Sequence, residues 1–410
     1  MPASGEAPGA QIFVAGIGDT QTCYYYAKEV SGTAWERGIG TVTDAATDTL
    51  TRTTIHGSSN AGSAVDWTGK TVRVYCVAPA HALRRMSLDH AGLLDNATFV
   101  ATRSGNAETI SLKTLAGTDP SPTDPVRVGF AKTDGTFEVL EVTAALSLTL
   151  SSGSTLGAVD AEPFRLWATL FNDSGTVRLG AVKCALADGI RSLIDNLSES
   201  STAEGGAGGA DSAGVIYTGT AVTSKTMRVL GYLEYTLTTA GTWDTAPSLV
   251  KLWSQGDRLP GDTVQISRSS TGETSLLATV MPVDDTIPQN TEGNEILTAS
   301  LTPKSAANRI EIRAGIFASV ITSIGSCVAA IFRDSTANAL AASAITIPAL
   351  DYVTILHLNT FVTAGAVSST TLKLRCGPNA GGRSIRLNGS GGRSFGGVAD
   401  THLELREIVV

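Results

Sequence analysis

Charge is what this sequence holds least of. Asp, Glu, Lys and Arg make up 17% of its 410 residues, against roughly 25% in an average soluble protein, and the formal net charge is −8. A nucleic-acid binder concentrates Lys and Arg on one face, so nucleic acid is not an expected partner. Long apolar runs are also missing. No stretch reaches the roughly eighteen apolar residues of a membrane span, and the opening MPASGEAPGAQIFVAG has neither a basic n-region nor an apolar core of signal-peptide length. Membrane insertion and Sec export are therefore not expected. The five cysteines, Cys23, Cys76, Cys184, Cys327 and Cys376, lie far apart, with no CxxC and no His at metal-ligand spacing, which argues against a disulfide framework or a metal site. They read as reduced, buried, small apolar residues. A Cys23–Cys76 bridge is the alternative, and it would require an oxidising step after cell lysis. No cofactor is expected either, because the glycine-rich segment 198–214, SESSTAEGGAGGADSAG, is not followed by GKS or GKT. Aromatic residues, at 6%, are sparse enough that Trp35 and Trp67 read as packing elements of a first domain.

What the sequence does have is 43 Gly among long runs of Ser, Thr and Ala, a balance that suits short strands joined by tight turns. The reading is an all-β chain of β-sandwich or jelly-roll domains in series, with one short helical or extended connector, assembling as a homotrimer. Residues 1–80 form the first β domain, with strands near 11–15, 22–28, 40–43, 49–54 and 71–77. Residues 81–118 form the connector. Leu83, Met86, His90 and Leu93 fall at spacings of three, four and three, which predicts a short helix from about 80 to 95. The Pro- and Asp-rich DPSPTDP at 119–125 marks the next boundary.

Residues 119–256 form a middle sandwich. Asp134-Gly135 and Asn172-Asp173-Ser174-Gly175 are the reversals of two hairpins. In the strand FRLWATLF (164–171), Leu166, Ala168 and Leu170 point one way, and Arg165, Trp167, Thr169 and Phe171 the other, so Trp167 meets a neighbouring sheet or subunit. Leu186, Ile190, Leu193, Ile194 and Leu197 are helically spaced, with a strand as the alternative. QGDRLPGD at 255–262 reads as a hinge, and seven or more strands within 263–410 imply a C-terminal jelly roll.

Two groups of motifs carry a resemblance to known proteins. The segment Pro282–Gly293, PVDDTIPQNTEG, followed by LTPKSAANRIEI (301–312), resembles the opening of the C-terminal domain of bacteriophage and prophage tail-fibre-like proteins. The likeness extends back through 239–262 and 151–181, and forward through 329–342, 377–382 and 387–397. Separately, AWERGIGTVTDAATDTLTRTTIHGSSNAGSAVDW (34–67) is similar to the N-terminal module of phage tail- or head-fibre proteins, where a WE-x-GIGT strand precedes an L-x-RTT strand and an SSN turn. Together the matches cover about half of the chain. They imply a virion protein assembled in the host cytoplasm: residues 1–80 would dock onto other phage virion proteins, and the C-terminal domain would face a host cell-surface polysaccharide or protein. The location on tail, baseplate or head stays open.

The rivals are a glycan-cleaving tailspike, a head fibre or decoration protein with no receptor role, and a bacterial carbohydrate-binding or adhesin module. A glycosidase needs two carboxyl groups facing one cleft. The candidates, Asp284 and Asp285, Glu292 and Glu295, Glu234, Asp160 and Glu162, mostly sit in turn or linker sequence, where acids serve structure. No G-x-S-x-G elbow is present, and His357, within YVTILHLNTFV, reads as a hydrogen-bonded sheet residue. No catalytic residue is therefore assigned. The candidate receptor-facing residues are Arg383, Arg386, Asn388 and Arg393, around a short strand between Gly- and Ser-rich loops, where forked donors suit an acidic polysaccharide. Pairing of these arginines with acids of a neighbouring subunit is the alternative.

Overall fold

The computed structural model describes residues 12–77, 94–132, 134–254 and 256–410, which fall into two compact units divided at Ala91/Gly92. The helix expected at about 80–95, with His81 and His90, lies almost wholly outside the described residues; Leu94–Asp95 is a short strand. Among the described residues regular structure is β, apart from the single helical turn Phe13–Ile17 and a 3-10 turn at Phe395–Gly397.

In the first unit, alternating residues of Thr22–Glu29 send Cys23, Tyr25 and Ala27 to the core, where Val42 and Leu50 join them. Four antiparallel strands lie in the order Thr49–Ser58, Trp35–Thr43, Thr22–Glu29, Val72–Cys76. The strand expected at 11–15 is instead the helical turn: Phe13, Val14 and Ile17 pack on the sheet beside Trp67, and Gly18, at φ 101°, ends it. At the centre sits the fully buried Glu36. Its carboxylate accepts hydrogen bonds from Tyr25 Oη (2.5 Å), Arg52 Nη1 (3.0 Å) and the Val65 amide (2.7 Å), so the buried charge is paired and satisfied. Two steps along, the register slips at Gly38, where any Cβ would lie 2.0 Å from the Thr54 carbonyl oxygen. Cys23 and Cys76 are both free thiols; burial pushes the Cys23 thiol up to about 11, and the neighbouring Cys76 adds to the rise.

The second unit is built on a seven-stranded sheet. Along it run Leu197–Glu199, Lys225–Thr236, Pro163–Asp173, Thr176–Lys183, Tyr217–Thr218 and Thr202–Ala203, with Leu249–Leu252 also paired to Lys225–Thr236. Both faces are apolar, as the alternation in 164–171 requires. Leu166, Ala168 and Leu170 meet Phe99, Ile110, Leu112 and Phe130 from two three-stranded sheets. Trp167 and Phe171 pack with Val182, Met227, Val229 and Val409. The hairpin reversals form as expected, with Ser174 at φ 53° and Gly175 at φ 93°. Leu186–Leu197 is not a helix; it holds the short strands Ala185–Leu186 and Gly189–Ile190 and the start of Leu197–Glu199, because Leu193 is drawn into the Trp167 cluster and Leu197 pairs with Met227.

The connector placed at 81–118 also differs. Its second half forms the strands Thr98–Ser104 and Ala107–Lys113, which deliver Phe99, Ile110 and Leu112 to the middle core. Nor is 256–262 a free hinge between serial domains. The Gly261 amide donates to the Val409 carbonyl (2.9 Å) and the Val409 amide to the Asp262 carbonyl (3.0 Å), while Trp167 Nε1 donates to the Val410 carbonyl (2.9 Å). Backbone pairing and buried apolar surface together outweigh the Pro- and Gly-rich composition that suggested mobility.

The C-terminal part is a two-sheet sandwich. One sheet has the order Thr263–Thr271, Thr401–Ile408, Arg309–Val320, Ile385–Leu387, Ser275–Leu277, with Thr354–Thr363 also paired to Arg309–Val320. The other has the order Asn294–Leu301, Thr370–Pro378, Gly325–Arg333, Ala341–Ile347. Ile310, Ile312, Ile316, Ile331, Leu372, Leu374 and Leu405 fill the space between them. The jelly-roll expectation is met at the level of an all-β sandwich. Cys327 and Cys376, on neighbouring strands, bring their Sγ atoms to 3.3 Å as buried free thiols.

One buried acid stands apart. Neither carboxylate oxygen of the fully buried Glu108, on Ala107–Lys113, has a hydrogen-bond partner, and the buried Tyr235 hydroxyl also lacks one. Burial pushes the Glu108 carboxyl up to about 7, although Arg103 opposes the shift. The folded state therefore binds this proton more tightly than the unfolded chain. Its contribution is fully present at low pH and is lost as pH rises from the unfolded value through about 7. Thermal unfolding should show stability falling between about pH 5 and about pH 8 by an amount on the order of 3 kcal/mol from this group, and Glu108→Gln should flatten the fall. An unchanged pH slope in the variant would assign the dependence to other groups.

Candidate functional site

Strand directions place the predicted receptor residues at one end of the C-terminal sandwich. Val320, Thr271 and Thr401 lie at the same end of their sheet, and the strand pairings bring Ile385–Leu387 there as well. The connections 272–274, 321–324, 348–353, 379–384 and 388–400 consequently cluster at this tip. The opposite end, with Ser305, Arg309, Thr363 and Val410, meets the middle sheet through Ser305 Oγ to Glu234 Oε1 (2.7 Å), Arg309 Nη1 to the Gly189 carbonyl (2.8 Å) and Trp167 Nε1 to the Val410 carbonyl (2.9 Å). Within this unit the tip points away from that joint.

The four predicted residues do different things. Arg383 lies over Gly325, where a Cβ would fall 2.7 Å from its Nη1, and donates to Asn379 Oδ1 at 2.6 Å; Asn379 Oδ1 also accepts the Ser326 amide. The guanidinium thus ties 379–384 to the adjoining strand with donors to spare. Arg386, opposite Leu276 and Ser319, is half-buried, and its Nε is buried without a partner. Arg393 pairs through Nη1 with Glu273 Oε1 of its own chain at 2.8 Å, on the surface. Asn388 corrects the expectation. It is fully buried, with Nδ2 donating to the carbonyls of Thr271 (2.7 Å) and Glu273 (3.0 Å) and Oδ1 accepting from Thr401 Oγ1 (2.9 Å). An amide so enclosed cannot meet a ligand; it fixes the loops that can. Its φ of 56° explains why Asn stands there, since Asn enters the left-handed region more readily than most residues.

The sequence reading passed over the apolar residues of these loops. Phe395 is 75% and Val398 85% exposed, and Ile324, Leu350 and Tyr352 are exposed in neighbouring connections at the same end. The one legible signal was a large apolar residue alone between glycines, as in SFGGV. Large apolar residues normally lie inside, and here several are exposed on loops at one end of the sandwich.

The candidate acids are occupied with structure. Asp284 Oδ1 caps the Thr286 amide (2.9 Å) and hydroxyl (2.6 Å), and these bonds hold its carboxyl below the usual range. Asp160 accepts the Ala240 amide, and Glu292 the Gln289 amide. Glu295 pairs with Arg375 and Lys373, and Glu234 with Arg165; Glu162 accepts a hydrogen bond from Thr363 Oγ1. Asp285 is exposed beside the Asp284 cap. His357 is a sheet residue, exposed on Thr354–Thr363 and paired with Gly315. Among the described residues no group of three or more His, Cys, Asp and Glu side chains could hold a metal ion, and no helix is long and apolar enough to cross a membrane.

No family model matches the chain, and no curated protein matches it. Among solved structures it is similar to the insecticidal delta-endotoxin Cry8Ea1 from Bacillus thuringiensis, at 8% identity, covering 79% of this chain and 55% of that one with a TM-score of 0.18. It is also similar to infectious bursal disease virus of the Gx strain, at 11% identity over 77% of each chain with a TM-score of 0.19, and to the VP2 subviral particle of that virus, at 11% identity over 77% of this chain and 78% of that one with a TM-score of 0.18. The chain thus spans about half the length of the endotoxin it matches. Superpositions of this quality carry no argument about this chain.

The roles of Asn388 and Arg393 separate by stability. Asn388→Ala leaves two carbonyls and one hydroxyl without their partner and should lower unfolding free energy by roughly 2 to 3 kcal/mol. Arg393→Ser breaks one exposed ion pair and should lower it by less than about 1 kcal/mol. Urea unfolding that ranks the two variants the other way would show that the surface pair, not the buried amide, holds the tip loops.

Proposed function

We propose that this chain is a non-enzymatic, fibre-type structural protein of a bacteriophage virion, assembled in the host cytoplasm, whose C-terminal tip contacts the host surface. The observation that carries the reading is the tip itself. Large apolar side chains are presented together with Arg383 and Arg393 on loops whose bases are locked by Asn388. Exposed apolar side chains and forked donors on neighbouring loops suit a partner bearing hydroxyls and carboxylates, such as an acidic surface polysaccharide.

The motifs that carry the family resemblance support the reading through what they build. In the N-terminal module, the WE-x-GIGT strand supplies Glu36 and Gly38, and the L-x-RTT strand supplies the Arg52 that pairs with Glu36. Ser59 Oγ of the SSN turn accepts the Trp35 amide. In the C-terminal motif, the segment around Pro282–Gly293 straps the outer face of a sheet. The Asn290 amide donates to the Ala337 carbonyl, the Ala339 amide donates to the Pro288 carbonyl, and Arg375 grips the carbonyls of Glu292 and Gly293. Met281 lies with Val328, Ala330 and Phe332 beneath it.

Assembly as a homotrimer is part of the proposal, with residues 1–80 docking onto other virion proteins. Among the described residues Thr354–Thr363 pairs on one side only, with Arg309–Val320, and its Ile355 is exposed. A second chain would bury that edge.

Two measurements test these statements. Particles carrying Arg393→Ser, Phe395→Ser and Val398→Ser together should adsorb poorly to host cells with a nearly unchanged melting temperature. A lower melting temperature with adsorption per intact particle preserved would make these residues structural. Light scattering of the free protein at micromolar concentration should give three chains per particle, and a monomer there would remove the trimer.

A further inference from the structure

The second unit contains a cavity of about 250 Å³ where the middle sheet meets the C-terminal sandwich. Lys183 and Arg309 enter it from the two sides, and Val159, Phe164 and Leu186 supply apolar wall. Lys183 is buried, yet its ammonium donates only to backbone carbonyls, those of Gly157 (2.9 Å) and Ala185 (3.0 Å). Arg309 Nη1 donates to the Gly189 carbonyl at 2.8 Å. Neither cation makes an ion pair with any described residue. An ammonium has three donors and a guanidinium five, so both keep unused N–H groups beside the cavity.

Two like charges held out of water with no counter-ion at ion-pair distance repel each other and are poorly solvated. The effect is visible on Lys183: burial first, and the Arg309 charge second, push its ammonium below the ordinary range. Glu162 also lines the cavity and acts on both cations from beyond ion-pair distance, its carboxylate held by the Thr363 hydroxyl. Asp188 acts on Arg309 as well but is not part of the wall. The lining thus carries two positive charges against one negative, together with an apolar surface.

We propose that this cavity binds a small organic carboxylate, with its head between Lys183 and Arg309 and its carbon body against Phe164 and Leu186. Such a ligand would link the two sandwiches by bridging a cation from each, and the inference is independent of the fibre reading. A carboxylate matches the forked guanidinium, and the apolar wall favours an anion with a hydrocarbon body over a fully hydrated one.

Titration calorimetry and thermal melts of the full chain at low ionic strength, with sodium benzoate as probe, test this. Benzoate should bind once per chain and raise the melting temperature; benzyl alcohol, of similar shape and no charge, should do neither. Binding of benzyl alcohol equal to that of benzoate, or no benzoate binding, overturns the proposal. Inorganic phosphate binding as tightly as benzoate overturns the carboxylate assignment. Lys183→Met should weaken benzoate at least about tenfold, since one of two charged contacts is lost. Because that variant also removes two hydrogen bonds to the fold, Glu162→Gln provides the opposite test. Removing the negative charge from the wall while keeping an acceptor for Thr363 should tighten benzoate by about tenfold, and unchanged or weaker binding would place the anion elsewhere.

Discussion

A sheet with two apolar faces needs two partners, and the rest of the second unit follows from that need. In Pro163–Asp173 eight successive residues, Phe164 to Phe171, are buried. The middle part of the chain covers one face with the strands around Phe99, Ile110 and Phe130. The other face carries Trp167, whose indole N–H must be satisfied once it is taken out of water. That partner is the carbonyl of Val410, and Val409 packs in the same cluster. The last strand, Thr401–Ile408, is hydrogen-bonded along its length to Arg309–Val320. Covering the middle sheet therefore fixes the position of the C-terminal sandwich, and the chain from Gly92 to Val410 becomes one compact unit.

A chain with so few charges spends several of them on enclosed connections. Glu36 gathers a tyrosine, an arginine and an amide in the first unit. Glu204 gathers Ser151, Ser154 and the Gly206 amide; burial alone would raise its carboxyl, but these hydrogen bonds prevail and hold it below the ordinary range. Glu407, fully buried, accepts from Gln265, Asn308 and the Lys304 amide. In each case one carboxylate satisfies donors from segments far apart in sequence, so it specifies which segments meet as well as holding them there. Glu108 lacks such donors, which is why burial dominates its titration.

Local chemistry was the legible part. Alternation assigned the two faces of 164–171 correctly, and the Ser174-Gly175 reversal follows from residues that accept positive φ. What could not be read was where a strand goes once formed. Thr98–Ser104 and Ala107–Lys113 alternate visibly, yet their place in the middle core depends on partners some fifty or more residues away in sequence, such as Leu166 and Leu233. The hinge at 256–262 failed for the same reason, because its hydrogen bonds go to Val409. At the tip, Gly- and Ser-rich loops pointed to the right region, but Asn and Arg look alike as donors in sequence. Only the enclosure of Asn388 by Thr271, Glu273 and Thr401 separates a residue that builds the surface from one that lies on it.

One strand joins the tip to the rest of its unit. Arg309–Val320 has twelve residues, roughly 40 Å of extended chain. Near the tip, Ser319 Oγ donates to the Gly389 carbonyl and the Asn388 amide to the Phe317 carbonyl. At the other end Arg309 donates to Gly189 in the middle part. Between these points the strand is paired with both Thr354–Thr363 and Thr401–Ile408. A force on the tip loops therefore passes along a strand held on both sides, and shearing it out would break many hydrogen bonds at once instead of one at a time.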